Sequence, residues 1–197
     1  MSMRSFAVIV LAAPVAAFAQ AAPAALPTVE QQVAAAVLPL PKDMRDGAAV
    51  MGYRTKDKLE MLRPGRNSMI CLALFAVRDD FHVACYHNSL EPFMARGREL
   101  RAQGVKGDDV DSVRFREVKS GKLKMPRQAA LYSLTGPKSS WDPATGAVKG
   151  ATALGVVYMP GATAESVGLS TNPSKTGAWM MYPGTPKAHI MIMGSMN

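Results

Sequence analysis

The sequence predicts an α+β fold: a single domain with a mostly antiparallel sheet and two or three helices packed on it. Three observations carry that expectation. Two β-favouring runs, Met69–Phe75 and Phe81–His87, flank a short polar link at Arg78, Asp79 and Asp80 and read as a β-hairpin. Capping-box patterns at Thr28-Val29-Glu30-Gln31 and Asn88-Ser89-Leu90-Glu91 each open a stretch with helical spacing. The chain has 197 residues, 48% hydrophobic and 19% charged, which is enough for one sizeable core.

The N-terminus reads as an export signal. Arg4 supplies a short positive region, Phe6 to Val15 is apolar, and Ala17-Phe18-Ala19 is a small-x-small cleavage site. The expected organisation is a secretory signal peptide over residues 1–19, a flexible Ala/Pro-rich leader over 20–27, and one globular domain over 28–197. No cysteine adjoins the cleavage site, which argues against a lipid anchor. No later stretch is long and apolar enough for a spanning helix. The expected product is soluble, in a periplasm or outside the cell. The formal net charge of +8 falls by one when Arg4 leaves with the signal. In an exported chain that balance points to anionic envelope surfaces rather than nucleic acid.

Thr28 caps a helix running to Val37 or Leu38, with Val29, Val33, Ala36 and Val37 as its apolar stripe, and Pro39 and Pro41 end it. Pro41–Asp46 forms a further helical turn closed by Gly47. Ala48–Tyr53 and Lys58–Arg63 read as strands about a polar turn, and Pro64-Gly65-Arg66-Asn67 turns into the cysteine hairpin. A meander of four strands is the simplest arrangement of this half. Asn88 caps the next helix, with Glu91 reaching back, and Gly104 stops it. Gly97 permits close approach to the sheet. Asp108–Lys119 reads as a second helix, with acidic residues early and basic ones late, although Val113–Val118 also alternates as a strand does. Ala129–Leu134 and Thr152–Met159 are strands across a long Gly/Pro/Ser link that holds Trp141. Thr163–Val167 is a helical turn. Ala178–Tyr182 and Ala188–Met193 close the chain as two strands.

Placing Phe75 opposite Phe81 sets Cys71 opposite Cys85 and Met69 opposite His87, all on one face. In an exported chain the first reading of Cys71 and Cys85 is a disulfide. The alternative is a soft-metal, copper(I) site built from Met69, Cys71, Cys85 and His87, or from His189, Met191 and Met193 in the last strand. Cys85 and His87 lie about 7 Å apart along a strand, long for a nucleophile and its base. No catalytic motif stands out; a hydrolase would rely on His87 and His189, with Glu91 or Asp142 orienting them. Between Arg96 and Arg127 basic residues outnumber acidic ones two to one. Arg96, Arg98 and Arg101, with Trp141, are the candidates for holding an anionic small molecule or a cell-envelope polymer. Nothing in the sequence asks for a cofactor.

Overall fold

The computed structural model describes residues 25–194. The signal peptide expected over 1–19 and most of the leader lie outside the described residues. Eight strands form one sheet: β1 (Ala49–Thr55), β2 (Lys58–Arg63), β3 (Met69–Leu72), β4 (Asp80–His87), β5 (Ala129–Pro137), β6 (Thr152–Tyr158), β7 (Ala178–Met181) and β8 (His189–Gly194). Their order is β2-β1-β3-β4-β5-β6-β8-β7. Every neighbouring pair is antiparallel except β1 and β3. The helices are α1 (Val29–Ala36), α2 (Lys42–Arg45), α3 (Glu91–Ala102), α4 (Asp109–Lys119) and α5 (Ala164–Val167). The α+β class read from the sequence holds.

The four-strand meander does not form, because β3 lies on the far side of β1 from β2. The link after β2 returns to the start of β1, where Arg66 and Asn67 donate their amides to the Gly47 carbonyl at 2.7 and 2.9 Å. Asn67 also donates through Nδ2 to the Met44 carbonyl at 2.8 Å. Gly65 crosses so close that a Cβ there would sit 2.7 Å from the Ala49 nitrogen. The crossover leaves the charged strand β2 at the sheet edge, where charge discourages pairing with another chain.

The hairpin register is the one the sequence sets: Met69 opposite His87 and Cys71 opposite Cys85. Phe75 differs. β3 stops at Leu72, and Leu74–Ala76 makes a 3-10 turn, pinned by the Lys138 ammonium, which donates to the carbonyls of Phe75 and Arg78. The Phe75 ring still lies 5.4 Å from that of Phe81.

α1 covers one face of the sheet. Its Ala35 and Ala36 join Val50, Met69, Cys71, Phe75, Phe81, Val83, Cys85 and Leu134 in one core cluster. The opposite face holds Leu72, Tyr86, Val156 and Tyr158, with Leu90 from the turn before α3. α4 is a helix, not a strand; Val110 and Arg114 are its buried pair, one turn apart. Gly97 serves that helix rather than the sheet: a Cβ on it would stand 2.9 Å from Arg114 Nη1.

Cys71 and Cys85 are bonded as a disulfide, with both residues fully buried. Closing a loop of about fifteen residues adds about 3 kcal/mol in the chain-entropy model. The Cys71→Ala/Cys85→Ala double variant is therefore expected to melt about 6–12 °C lower. A melting temperature unchanged within 2 °C, or so, of the parent would show that the strand pairing carries the hairpin alone.

Candidate functional site

Pro39 and Pro41 cannot extend α1, so the chain turns sharply after it. Arg45 holds the resulting elbow, donating through Nε to the Leu40 carbonyl and through Nη2 to that of Leu38, each at 2.8 Å. The elbow stands over the sheet, short of the β5–β6 loop. That loop is folded on itself. The Asp142 carboxylate accepts from the Ala144 amide at 2.9 Å and the Thr145 hydroxyl at 2.7 Å. Trp141 bridges to Val148 and sets its indole against Phe75, ring centroids 4.6 Å apart.

Between elbow and loop lies a cleft of about 530 Å³, within the usual range for a small-molecule site. Tyr132, Leu134 and Ala153 form its floor, Leu38–Pro41 one wall and Gly146–Val148 the other. Lys42 and Arg45 are its charged lining residues, and no carboxylate lines it. Neither cation is in an ion pair with the described residues. The cleft therefore offers an apolar bed with uncompensated positive charge beside it.

The residues singled out from the sequence lie elsewhere. Arg96 is engaged by Glu117 at 2.8 Å and Glu99 at 3.2 Å. Arg98 donates to Glu91 at 2.5 Å and to the Tyr86 hydroxyl at 3.1 Å. Arg101 turns back to the Gly97 carbonyl at 3.0 Å. Trp141 is 8% exposed and serves as a lid on the core, not as an open platform. Glu91 does not reach back to a cap; its other oxygen accepts from Tyr86 at 2.5 Å. His87 takes the capping place expected of Asn88, its Nδ1 accepting from the Ser89 amide at 3.3 Å.

His189 shares a face with Tyr86 and Tyr158 through the registers Tyr86–Leu131, Ala129–Tyr158 and Tyr158–His189. His87, next to Tyr86, points to the other face, and β5 and β6 stand between. The two histidines do not converge. Met69 and His87 do flank the cysteines, but both sulfurs are spent in the disulfide. Among the described residues no group of three or more His, Cys, Asp or Glu side chains could hold a metal ion. Nor is any helix there long and apolar enough to cross a membrane.

No family model, no curated protein and no solved structure matches this chain. The cleft was legible only in retrospect. Its sequence signal is Leu38-Pro39-Leu40-Pro41-Lys42, a Pro-punctuated apolar elbow ending on a cation.

Two of the three histidines, His82 and His189, sit where their charged form is disfavoured. Burial, then the nearby Arg78 charge, holds His82 below the usual histidine range. Burial does the same for His189, outweighing the hydrogen bond to the Lys187 carbonyl. A depressed histidine contributes stability that is complete above its unfolded pKa, about 6.5, and lost as pH falls through the folded value. Urea midpoints are thus expected to decline between pH about 6.5 and about 5, before most carboxylates titrate. Midpoints that stay level over this interval, or rise, would contradict the assignment.

Proposed function

We propose that this chain is an exported, non-enzymatic binding module for a small amphipathic anion, an apolar body bearing one carboxylate, sulfate or phosphate group. The observation that carries the reading is the cleft lined by Lys42 and Arg45, apolar beneath and free of lining carboxylates. The overall charge of +8 favours the same sign of ligand. The disulfide and the N-terminal signal support an oxidising compartment outside the cytoplasm as its place of work.

Naphthoate and neutral naphthalenemethanol have nearly the same apolar body and differ in charge. Calorimetric titration is expected to give naphthoate the higher affinity by about ten-fold, the worth of one charge-assisted contact. Lys42→Glu changes an exposed residue and is expected to erase or reverse that preference. Equal affinities in the parent protein, or a preference untouched by Lys42→Glu, would refute the reading.

A further inference from the structure

We infer that the anion carries a linear apolar tail, laid across the sheet from the cleft over Gly155 to Ile192. The inference rests on the proposed cleft and specifies its ligand class: a single-chain amphiphile with its charged head at Lys42 and Arg45.

α1 packs over β1 and β4, and the face it covers continues across the rest of the sheet. Strand registers place Tyr132, Gly155, Ile192 and Ala178 side by side in one row on that face. Tyr132 belongs to the cleft floor. The next position has no side chain, and a Cβ built on Gly155 would meet only Ile192 atoms, at 3.9 Å. Beyond it Ile192 is 44% exposed, although its strand β8 is paired on both sides. Glycine inside a strand weakens it and marks a place where something else approaches the backbone. Here nothing among the described residues occupies that space.

The row is bordered by Ala153 on one side and Val157 on the other, residues of the same face two positions away along β6. Each border stands about 6.6 Å from the row, so the trough between them spans about 13 Å of backbone and has room for a polymethylene chain laid along its middle. None of the row's side chains is charged. Lys42 and Arg45 come from the elbow after α1, whereas the row leaves the cleft towards β8. Head and tail are thereby separated. Three strand spacings from β5 to β7 come to about 14 Å, the span of about a dozen carbons in an extended chain, whose bonds of about 1.5 Å advance only about 1.25 Å each along the zigzag.

The test is a calorimetric series from hexanoate to dodecanoate, each below its micelle-forming concentration, with naphthoate alongside. A methylene laid on one open face is expected to improve affinity about two-fold, against about four-fold for complete burial. The gain should extend to dodecanoate in the parent protein. Gly155→Phe, which places a ring in open space, should leave naphthoate and hexanoate unchanged and flatten the dependence on length. Ile192→Glu, at an exposed position, should do likewise and guards against misfolding of the first variant. Naphthoate binding with no gain from chain length overturns the tail and leaves the cleft intact. An equal gain in the parent and both variants overturns the row as its path. Binding of neither naphthoate nor any alkanoate removes the cleft and the tail together.

Discussion

Asp111→Ala is expected to destabilise the protein by about 3 kcal/mol, at the lower end of the range for breaking a buried ion pair. Its partner Arg114 is 4% exposed, and its guanidinium has few other places to turn. It donates to the Asp111 carboxylate and to the Phe93 carbonyl at 3.1 Å. It also lies over the Phe93 ring, 3.9 Å from the centroid, while its Nε has no partner among the described residues. The second Asp111 oxygen takes the Lys187 ammonium at 2.8 Å, so one carboxylate ties α4 to the start of β8. Partial burial works to raise the Asp111 pKa, but the hydrogen bonds and charges of Lys187 and Arg114 outweigh it and hold the group below the ordinary carboxylate range. Its contribution is complete above the unfolded pKa, about 3.9, and fades as pH falls through the folded value. With the carboxylate deleted, a cation stays buried beside a second cation at all pH values. Chemical denaturation should show the loss. The Asp111→Ala/Arg114→Met double variant should recover most of it, since the buried guanidinium goes with the carboxylate and only the partly exposed Lys187 ammonium loses its partner. A single variant within about 1 kcal/mol of the parent would show that water already reaches Arg114.

That ion pair marks a boundary of what the sequence discloses. The hairpin was legible because three local signals agreed: the β-favouring composition of each run, the length of the link, and the opposition of the cysteines. The capping box at Thr28 and the helix over Asp109–Lys119 were legible for the same reason, being set within a few residues. The order of β1, β2 and β3 was not. It depends on Gly65 and Asn67 meeting the start of β1, contacts between segments that carry no shared local pattern. The meander was the shortest connection; the carbonyl of Gly47 decided otherwise.

Charge misled in a similar way. The excess of arginine around α3 reads as an open basic face, yet Arg96, Arg98 and Arg114 find carboxylates on their own helix or a neighbouring element. Counting charges along a chain cannot tell a neutralised cation from a free one. The cations beside the cleft, Lys42 and Arg45, lie near Asp43 and Asp46 in sequence and so attract no notice there. Their significance comes from the elbow, which turns them towards a bed built by strands about ninety residues later.

Gln32→Ala is expected to lower stability by about 3 kcal/mol through three lost hydrogen bonds of about 1 kcal/mol each, with the vacated side-chain volume adding to the cost. In melting temperature that is a fall of at least about 6 °C. Nothing in Glu30-Gln31-Gln32-Val33 distinguishes this glutamine, but the sheet requires it. β3 follows β1 only as far as Leu72, and a last bond runs from the Ala73 amide to the Met51 carbonyl at 2.9 Å. β1 continues to Thr55, leaving the Tyr53 backbone without a strand on that side. The fully buried Gln32 side chain takes the strand's place. Its Oε1 accepts from the Tyr53 amide at 2.8 Å, and its Nε2 donates to the Tyr53 carbonyl at 2.7 Å and the Pro27 carbonyl at 2.8 Å. Gly52 makes room, for a Cβ there would lie 2.5 Å from Gln32 Oε1. Gly52→Ala should therefore reproduce part of the loss. Gln32→Glu keeps the shape and one acceptor but turns an anionic oxygen towards two carbonyls, and should be no better than alanine. Amide exchange at Tyr53 separates this account from simple loss of packing. It should accelerate selectively in Gln32→Ala, and an unchanged rate alongside an unchanged melting temperature would mean that another group had taken over the edge of β1.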